Sequence, residues 1–215
     1  MLIINNFYID SGLICENFHN CIIDSETPVF SWSILSSDDN NIQQNCRVVV
    51  RMDDTCFWDS GWRKQTEQSL TYAGKALPHG RILTAEITVR DTYGTESEPY
   101  FATFVSGILD NTEISGSWIT SPEPNKRRVL YFRHELQLSE TPLSACLYVC
   151  GLGYHHVTIN GREITDAKLE PAHANYAKQI YYAVHPDMAN FLIKGQNIIG
   201  IEVADGWRNN ETDVT

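Results

Sequence analysis

The residues best suited to chemistry lie in the stretch GLGYHHVTINGREI, residues 151–164, which contains two adjacent histidines. A histidine can act as a general base or bind a metal ion. Adjacent residues of a strand point to opposite sides of the sheet, so His155 and His156 cannot share one metal ion on a regular strand. We therefore expect one histidine to be packed and the other exposed, and we predict no metal ion and no other cofactor.

Carboxylates and one serine are the other candidates for catalysis. The acidic pairs all lie in polar stretches typical of turns, which offer no apolar pocket to raise a pKa: Asp38 with Asp39, Asp53 with Asp54, and Glu211 near Asp213. In WDSGW, Ser60 follows Asp59 and precedes a glycine, a pattern typical of a turn in which the aspartate bonds its own backbone. No Gly-x-Ser-x-Gly motif supports a serine nucleophile. We predict no catalytic residue in this chain.

Alternating apolar and polar residues predict that β-strands position these side chains. AEITVRD, residues 85–91, places Ile87 and Val89 on one face of a strand. Other segments with strand character are NCRVVVRM, SLTYA, PYFATFV, VLYFRHELQL, SACLYVC, YHHVTIN, KQIYYAV and NIIGIEVA. HPDMANFL could form one short helical turn. Many short strands with frequent turns predict an all-β protein built from sandwiches or barrels.

The pair Asn160-Gly161 is a strong hairpin signal, since a type I′ turn needs positive φ at both central residues. Val157 and Ile159 lead into the turn on one face, which places His156 and Thr158 on the other. We predict that Asn160 and Gly161 form a structural turn.

Composition excludes several classes of function. The chain has 215 residues and a formal net charge of −11, which argues against nucleic acid or an anionic membrane as a partner. It shows no signal peptide and no apolar run long enough to span a membrane, so we expect a cytoplasmic protein. The six cysteines contain no Cys-x-x-Cys pair, and we expect reduced, mostly buried thiols.

A polar stretch without alternation, GILDNTEISGSW, separates two strand-rich halves. We predict one β-sandwich domain over residues 1–108, a linker over residues 109–128 and a second β domain over residues 129–215. No sequence repeat or low-complexity tract relates the two halves.

The second half carries several spaced motifs: Gly-x-Gly-Tyr, Ile-Asn-Gly, Leu-x-Pro, Tyr-x-Lys-x-x-x-Tyr and Gly-x-Asn-x-x-Gly, followed by Gly-Trp. This frame, over residues 151–207, resembles the N-terminal β-sandwich domain of bacterial α-L-rhamnosidases of glycoside hydrolase family 78. PVFSWSI, WDSGW, LTYAGKALPHG and VRDTYG resemble the module that precedes that domain in the same family. The resemblance implies an immunoglobulin or fibronectin-III-like sandwich followed by a partial jelly-roll, galactose-binding-like domain. Leu83, Ala85 and Cys46 replace aromatic residues common in the family, which implies a repacked core.

The resemblance also implies a role. Family members continue into an α/α-barrel that carries the catalytic carboxylates, so we expect a fragment that ends inside its second domain and is itself inactive. Its expected function is to position or contact a rhamnoside for that missing barrel. A stand-alone carbohydrate-binding module and a structural β-sandwich interaction protein are the alternatives. The side chains expected to contact carbohydrate are Tyr154, His155, His156, Trp207, Arg208 and Asn209.

Overall fold

The computed structural model describes residues 2–10, 12–14, 21–37, 41–109, 116–122 and 129–206. Almost all regular structure in these ranges is β, which confirms the predicted all-β class with several sheets. The chain divides into two compact units, Met1–Glu113 and Ile114–Thr215. No helix in the described ranges is long and apolar enough to cross a membrane.

The first unit contains two sheets. Its strands are β1 (Leu2–Ile9), β2 (Gly12–Ile14), β3 (Ile22–Ile23), β4 (Val29–Ser36), β5 (Gln43–Met52), β6 (Thr55–Asp59), β7 (Arg63–Lys64), β8 (Ser69–Thr71), β9 (Ile82–Asp91) and β10 (Tyr100–Ser106). One sheet has the order β2-β1-β4-β8, and the other has the order β3-β10-β9-β5-β6 with β7 also paired to β5. The pairing of β3 with β10 is parallel, whereas the other named pairs in this unit are antiparallel.

Aromatic rings from both sheets meet in the core of the first unit. Phe30 of β4 is fully buried, and its ring centroid lies 5.9 Å from that of Phe7, 6.2 Å from that of Trp58 and 6.2 Å from that of Phe104. Phe7 and Phe30 belong to one sheet, and Trp58 and Phe104 belong to the other. The two sheets are therefore packed face to face, as in an immunoglobulin-like sandwich.

The three residues that replace aromatic residues common in the family also belong to this core. Leu83, Ala85 and Cys46 are all buried, with relative exposures of 1%, 0% and 0%. Burial raises the pKa of the Cys46 thiol to about 11. The expectation of mostly buried cysteines was wrong, because Cys56 and Cys150 are exposed and Cys46 alone is buried among the five described cysteines. None of these five forms a disulfide.

The WDSGW segment is a turn rather than a nucleophile site. The backbone N–H of Gly61, which has a φ of 60°, donates to Asp59 Oδ1 at 2.9 Å. Ser60 Oγ accepts the Val48 N–H at 2.9 Å and donates to the Gly61 carbonyl at 2.8 Å. The serine hydroxyl is thus used by the backbone, and Asp59 forms an ion pair with Arg47.

The second unit is built on a four-stranded antiparallel sheet and a two-stranded one. Its strands are β11 (Leu130–Leu138), β12 (Leu147–Val149), β13 (Tyr154–Ile159), β14 (Arg162–Glu163), β15 (Ala183–His185) and β16 (Gly195–Ala204). The larger sheet has the order β11-β16-β13-β14, and β12 pairs with β15. Residues Met188–Phe191 form one short 3₁₀ helix, where the sequence predicted a helical turn.

The strand predicted over KQIYYAV is mostly wrong, because only its last two residues belong to β15. The first two residues of this segment belong to a turn instead: the N–H groups of Lys178 and Gln179 both donate to the Asn175 carbonyl. The Asn175 side chain also accepts the Ala177 N–H at 3.2 Å. Alternation of Ile180 with Tyr182 resembles a strand in the sequence, but neither residue belongs to a strand of the described chain.

Asn160 and Gly161 connect β13 to β14 with φ values of 51° and 75°. An ideal Cβ on Gly161 has no heavy atom within 4 Å, so the position is open but conformationally restricted. Positive φ suits glycine and asparagine and is disfavoured for a β-branched residue.

Gly161→Val is therefore expected to destabilise the second unit by about 2 kcal/mol through backbone strain alone. Gly161→Asn is the matched control, since asparagine tolerates this conformation, and it should cost less than half as much. Urea unfolding of both variants provides the measurement. A loss for the valine variant below about 0.5 kcal/mol, the ordinary surface range, would contradict this explanation.

Two asparagines join the hairpin to the beginning of β16. Asn160 Nδ2 donates to the Phe191 carbonyl and to Asn197 Oδ1, both at 2.9 Å. Asn197 is fully buried; its Nδ2 donates to the carbonyls of Ile193 and Gly195 at 2.7 and 3.1 Å. Asn197 Oδ1 also accepts the Ile193 N–H at 2.9 Å. The Asn197 side chain thus makes four hydrogen bonds. It donates two, which is its full donor capacity, and accepts two.

Candidate functional site

The beginning of β13 lies against the end of β16, and Gly153 and Gly206 make this approach possible, while Gly151 lies close to His155. A Cβ on Gly153 would lie 2.1 Å from the Ala204 carbonyl oxygen. A Cβ on Gly206 would lie 2.9 Å from the Gly153 Cα, and one on Gly151 would lie 2.9 Å from His155 Nδ1. The Gly-x-Gly-Tyr motif is therefore a site of close backbone approach, which only glycine allows.

Tyr154 and His156 point to the outer face of the larger sheet. The burial of β13 alternates: His155, Val157 and Ile159 are buried, and the residues between them are partly exposed. His156 Nε2 lies 3.6 Å from Glu163 Oε1, and Glu202 of β16 is its register partner. Tyr131 is 72% exposed and pairs in register with Glu202 from the other side. This outer face therefore carries two carboxylates, an imidazole and tyrosine rings.

His155 points inward and takes part in a different group. Its side chain is 1% exposed, and its Nε2 lies 3.9 Å from Glu170 Oε2. His185 of β15 approaches the same carboxylate oxygen, with its Nε2 at 3.5 Å. The backbone also links the first pair, because the His155 N–H donates to the Glu170 carbonyl at 2.8 Å. We call His155, Glu170 and His185 the buried His–Glu–His cluster.

Burial disfavours the charged form of every member of this cluster. Burial, followed by the proximity of His185, lowers the pKa of His155 from 6.5 to about 4. Burial also lowers the pKa of His185 and raises the pKa of Glu170. Both ring nitrogens of His155 and the Nε2 of His185 are buried and form no hydrogen bond with protein atoms. Both imidazoles of the cluster are therefore neutral near pH 7.

The structure thus separates the residues predicted to contact a sugar. Tyr154 and His156 lie on one partly exposed face, whereas the His155 side chain is buried on the opposite face of the strand. Trp207, Arg208 and Asn209 lie outside the described residues. The acidic pairs at positions 38 and 39 and at positions 211 and 213 also lie outside them, and Asp53 and Asp54 form an exposed turn.

Glu170 and His185 were missed by the sequence analysis. Each stands immediately before a proline, Pro171 and Pro186, where apolar and polar residues do not alternate regularly. Nothing in the spacing of residues 155, 170 and 185 indicates that they meet. Within the described ranges, no group of three or more His, Cys, Asp or Glu side chains is arranged to hold a metal ion.

Comparison with known proteins gives these features a family context. Residues 140–215 match the model of the α-L-rhamnosidase N-terminal domain, and residues 11–110 match that of the Rha78A-like, N-terminal immunoglobulin domain. An α-L-rhamnosidase of Formosa agariphila is 28% identical to the chain and aligns with 92% of it. Over most of its length, this chain therefore matches the N-terminal domains of the α-L-rhamnosidase family. An α-L-rhamnosidase of an Alteromonas species is 26% identical over 84% of the chain.

Two solved α-L-rhamnosidases contain a region with the same fold as this chain. The enzyme from Dictyoglumus thermophilum matches 98% of the chain with a TM-score of 0.72 and 24% identity. That from Aspergillus terreus matches 97% of the chain with a TM-score of 0.70 and 18% identity. The chain spans about a quarter of its relatives, 24% of the Formosa protein and 26% of the Dictyoglumus structure.

In this chain, the motifs that resemble those of the family mainly constrain the backbone. Gly153 permits the approach of β13 to β16, and Gly151 leaves room for the His155 ring. Asn160 and Asn197, from Ile-Asn-Gly and Gly-x-Asn, bond each other across 37 residues of sequence. The motifs thus fix the local backbone of the second unit, whereas Tyr154 and His156 lie on the outer face of the larger sheet.

Proposed function

We propose that this chain supplies the two N-terminal β domains of an α-L-rhamnosidase and has no catalytic residue of its own. The observation that carries the proposal is the match of both halves to the N-terminal domains of this family. In the proposed enzyme, the carboxylates that cleave the α-L-rhamnoside lie on the α/α-barrel implied by the family resemblance. The second domain is proposed to be part of a jelly roll, bounded near residues 109–128 by a linker.

The environment of the carboxylates supports a non-catalytic role. An inverting glycosidase needs an acid and a base about 6.5–9.5 Å apart on either side of the sugar. Asp59, Glu96 and Glu135 each form an ion pair with an arginine. Asp91 accepts N–H groups of Tyr93 and Thr95 and is used in a turn. Glu170 faces two imidazoles in the interior.

We further propose that carbohydrate is contacted by the outer face around Tyr154 and His156, together with Trp207, Arg208 and Asn209, which are separated from the end of β16 by two residues. Aromatic rings stack on the apolar faces of sugars, and carboxylates and imidazoles bind hydroxyl groups. Tyr154 is the register partner of Ala204, so this side chain lies beside the strand end that leads to Trp207. A shallow, open face of this kind implies roughly millimolar affinity, about 4 kcal/mol.

Activity is tested with an aryl α-L-rhamnoside. The purified chain is expected to release no nitrophenol above the background of a mock purification. Turnover that co-purifies with the chain and disappears in Glu170→Gln would contradict the assignment of catalysis to another domain.

Binding is tested separately, by NMR titration of the chain with L-rhamnose and, in parallel, with D-glucose. L-rhamnose is expected to shift the amides around Tyr154 and His156, and Tyr154→Ala should abolish these shifts. Gln137→Ala is the matched control, because Gln137 is exposed on β11 and pairs with Gln196 at the far end of the same sheet. Equal shifts with both sugars, or shifts centred on Gln137, would contradict the proposed carbohydrate face.

A further inference from the structure

The segment between β14 and β15, residues 164–182, contains no strand and contacts the sheets at several points, one of which is Glu170. We call it the 164–182 loop. Glu170 lies near its middle and accepts the His155 N–H at its carbonyl, which adds to the hydrogen bond from the Ile164 N–H to the Val157 carbonyl at the beginning of the loop. The Glu170 side chain faces His155 of β13 and His185 of β15. One residue of the loop therefore contacts both sheets.

This attachment is unusual because its three side chains titrate and are poorly bonded. The two Nε2 atoms lie 3.9 and 3.5 Å from the carboxylate oxygen, beyond good hydrogen-bond distance. Buried polar groups are normally hydrogen-bonded, yet three imidazole nitrogens here have no protein partner. Gly151 lies close to His155 Nδ1, where an added Cβ would come within 2.9 Å of this nitrogen, and it contributes no side chain and no charge.

We propose that His155, Glu170 and His185 form a proton-operated latch, which holds the 164–182 loop against β13 and β15 at neutral pH and releases it in acid. The first proton to enter can be shared between an imidazole and the carboxylate, so the cluster tolerates it. A second proton leaves two imidazolium groups against one carboxylate in a buried site, where like charges repel. Opening the latch exposes both rings to water, where each can be protonated.

The direction of the pH dependence follows from the imidazoles. A histidine in the open state has a pKa of about 6.5, and that of His155 in the closed state is about 4. The open state therefore binds more protons below pH 6.5, and the closed state loses stability as the pH falls from 6.5 towards 4. The lowered pKa of His185 acts in the same direction as that of His155, and the raised pKa of Glu170 acts in the opposite direction. For His155 alone, opening becomes about 30-fold more favourable at pH 5 than at pH 8.

Amide hydrogen exchange of the whole chain, measured by NMR and corrected for intrinsic rates, tests the latch. The His155 amide is a direct reporter because it donates to Glu170. Its protection is expected to fall about 30-fold between pH 8 and pH 5, while amides of β9 in the first unit change little. Unchanged protection of the His155 amide would overturn the proposal.

Variants separate the latch from general acid instability. His155→Gln and His185→Gln should each flatten the pH dependence, and Glu170→Gln should move opening to a higher pH because no carboxylate is left to share the first proton. His156→Gln is the matched control, since it changes a histidine of the same strand that faces outward. A control effect equal to that of His155→Gln would overturn the proposal.

Histidine ring NMR of the unaltered chain gives a second readout that needs no variant. His155 is expected to remain neutral at pH 5.5 in the closed state, and the pKa of His185 is expected to lie below its usual value. Midpoints near 6.5 for both buried rings, with the fold intact, would overturn the latch even where a variant fails to fold.

Discussion

Replacing Gly153 with alanine is expected to destabilise the second unit by about 3 kcal/mol or more, which is at the upper end of overpacking effects. The added Cβ would lie 2.1 Å from the Ala204 carbonyl oxygen, far inside van der Waals contact. Both groups belong to the backbone of paired strands, so neither can move without separating β13 from β16. The approach of Gly206 to Gly153 would be lost in the same step.

Gly200→Ala is the matched control for this prediction. Gly200 lies in β16, where its Cβ would meet only the Thr158 hydroxyl, at 2.8 Å. A hydroxyl can rotate away, and alanine is better than glycine in a strand interior, so the expected loss is below about 1 kcal/mol. Native-state hydrogen exchange by mass spectrometry measures β13 and β16 apart from the first unit. If the two alanine variants were equally stable, steric conflict at Gly153 would not be the reason for its glycine.

Asn197→Ala is expected to cost about 3–5 kcal/mol, because it leaves several buried groups without partners at once. The Ile193 N–H, the carbonyls of Ile193 and Gly195, and one donor of Asn160 all bond to this side chain. An unsatisfied buried donor or acceptor costs about 1–3 kcal/mol, and the exposed loop ends can recover only part of that by binding water. Urea unfolding of the second unit, followed by the same hydrogen-exchange readout, measures the loss.

A double-mutant cycle tests whether the two asparagines act together. Asn160→Gly keeps the positive φ of 51° available while removing the side chain. The double variant with Asn197→Ala should be more stable than the sum of the single losses predicts, by about 1 kcal/mol. Asn175→Ala, at an exposed turn, is the control and should lose little. Strict additivity would mean that Asn197 stabilises β16 independently of the hairpin.

Local patterns in the sequence were sufficient to predict most of the fold. Alternation in AEITVRD gives the correct buried face of β9, and Asn160-Gly161 marks a turn with positive φ at both residues. These features depend on neighbours one or two residues away. The strand predicted over KQIYYAV failed for a related reason: alternation alone does not provide a hydrogen-bonding partner, and the turn at Asn175 uses those backbone groups.

The interior of the site could not be predicted in the same way. His155 meets Glu170 and His185 only because β13, the 164–182 loop and β15 are brought together by the tertiary fold. Adjacent histidines on a strand indicated that one would face inward, and the burial of His155 opposite His156 agrees with that reasoning. What the inward histidine would contact depended on residues 15 and 30 positions away, for which no local pattern exists.

Two exposed thiols of this chain can carry dyes for a distance measurement by energy transfer. Cys56 belongs to the first unit and Cys150 to the second, and both are accessible. Cys46 is buried, and its pKa of about 11 leaves almost no thiolate to react with a maleimide near neutral pH. With the other cysteines changed to serine, a donor and an acceptor dye on Cys56 and Cys150 would report by energy transfer the distance between the two units. The same labelled protein would reveal whether that distance is fixed or fluctuates in solution.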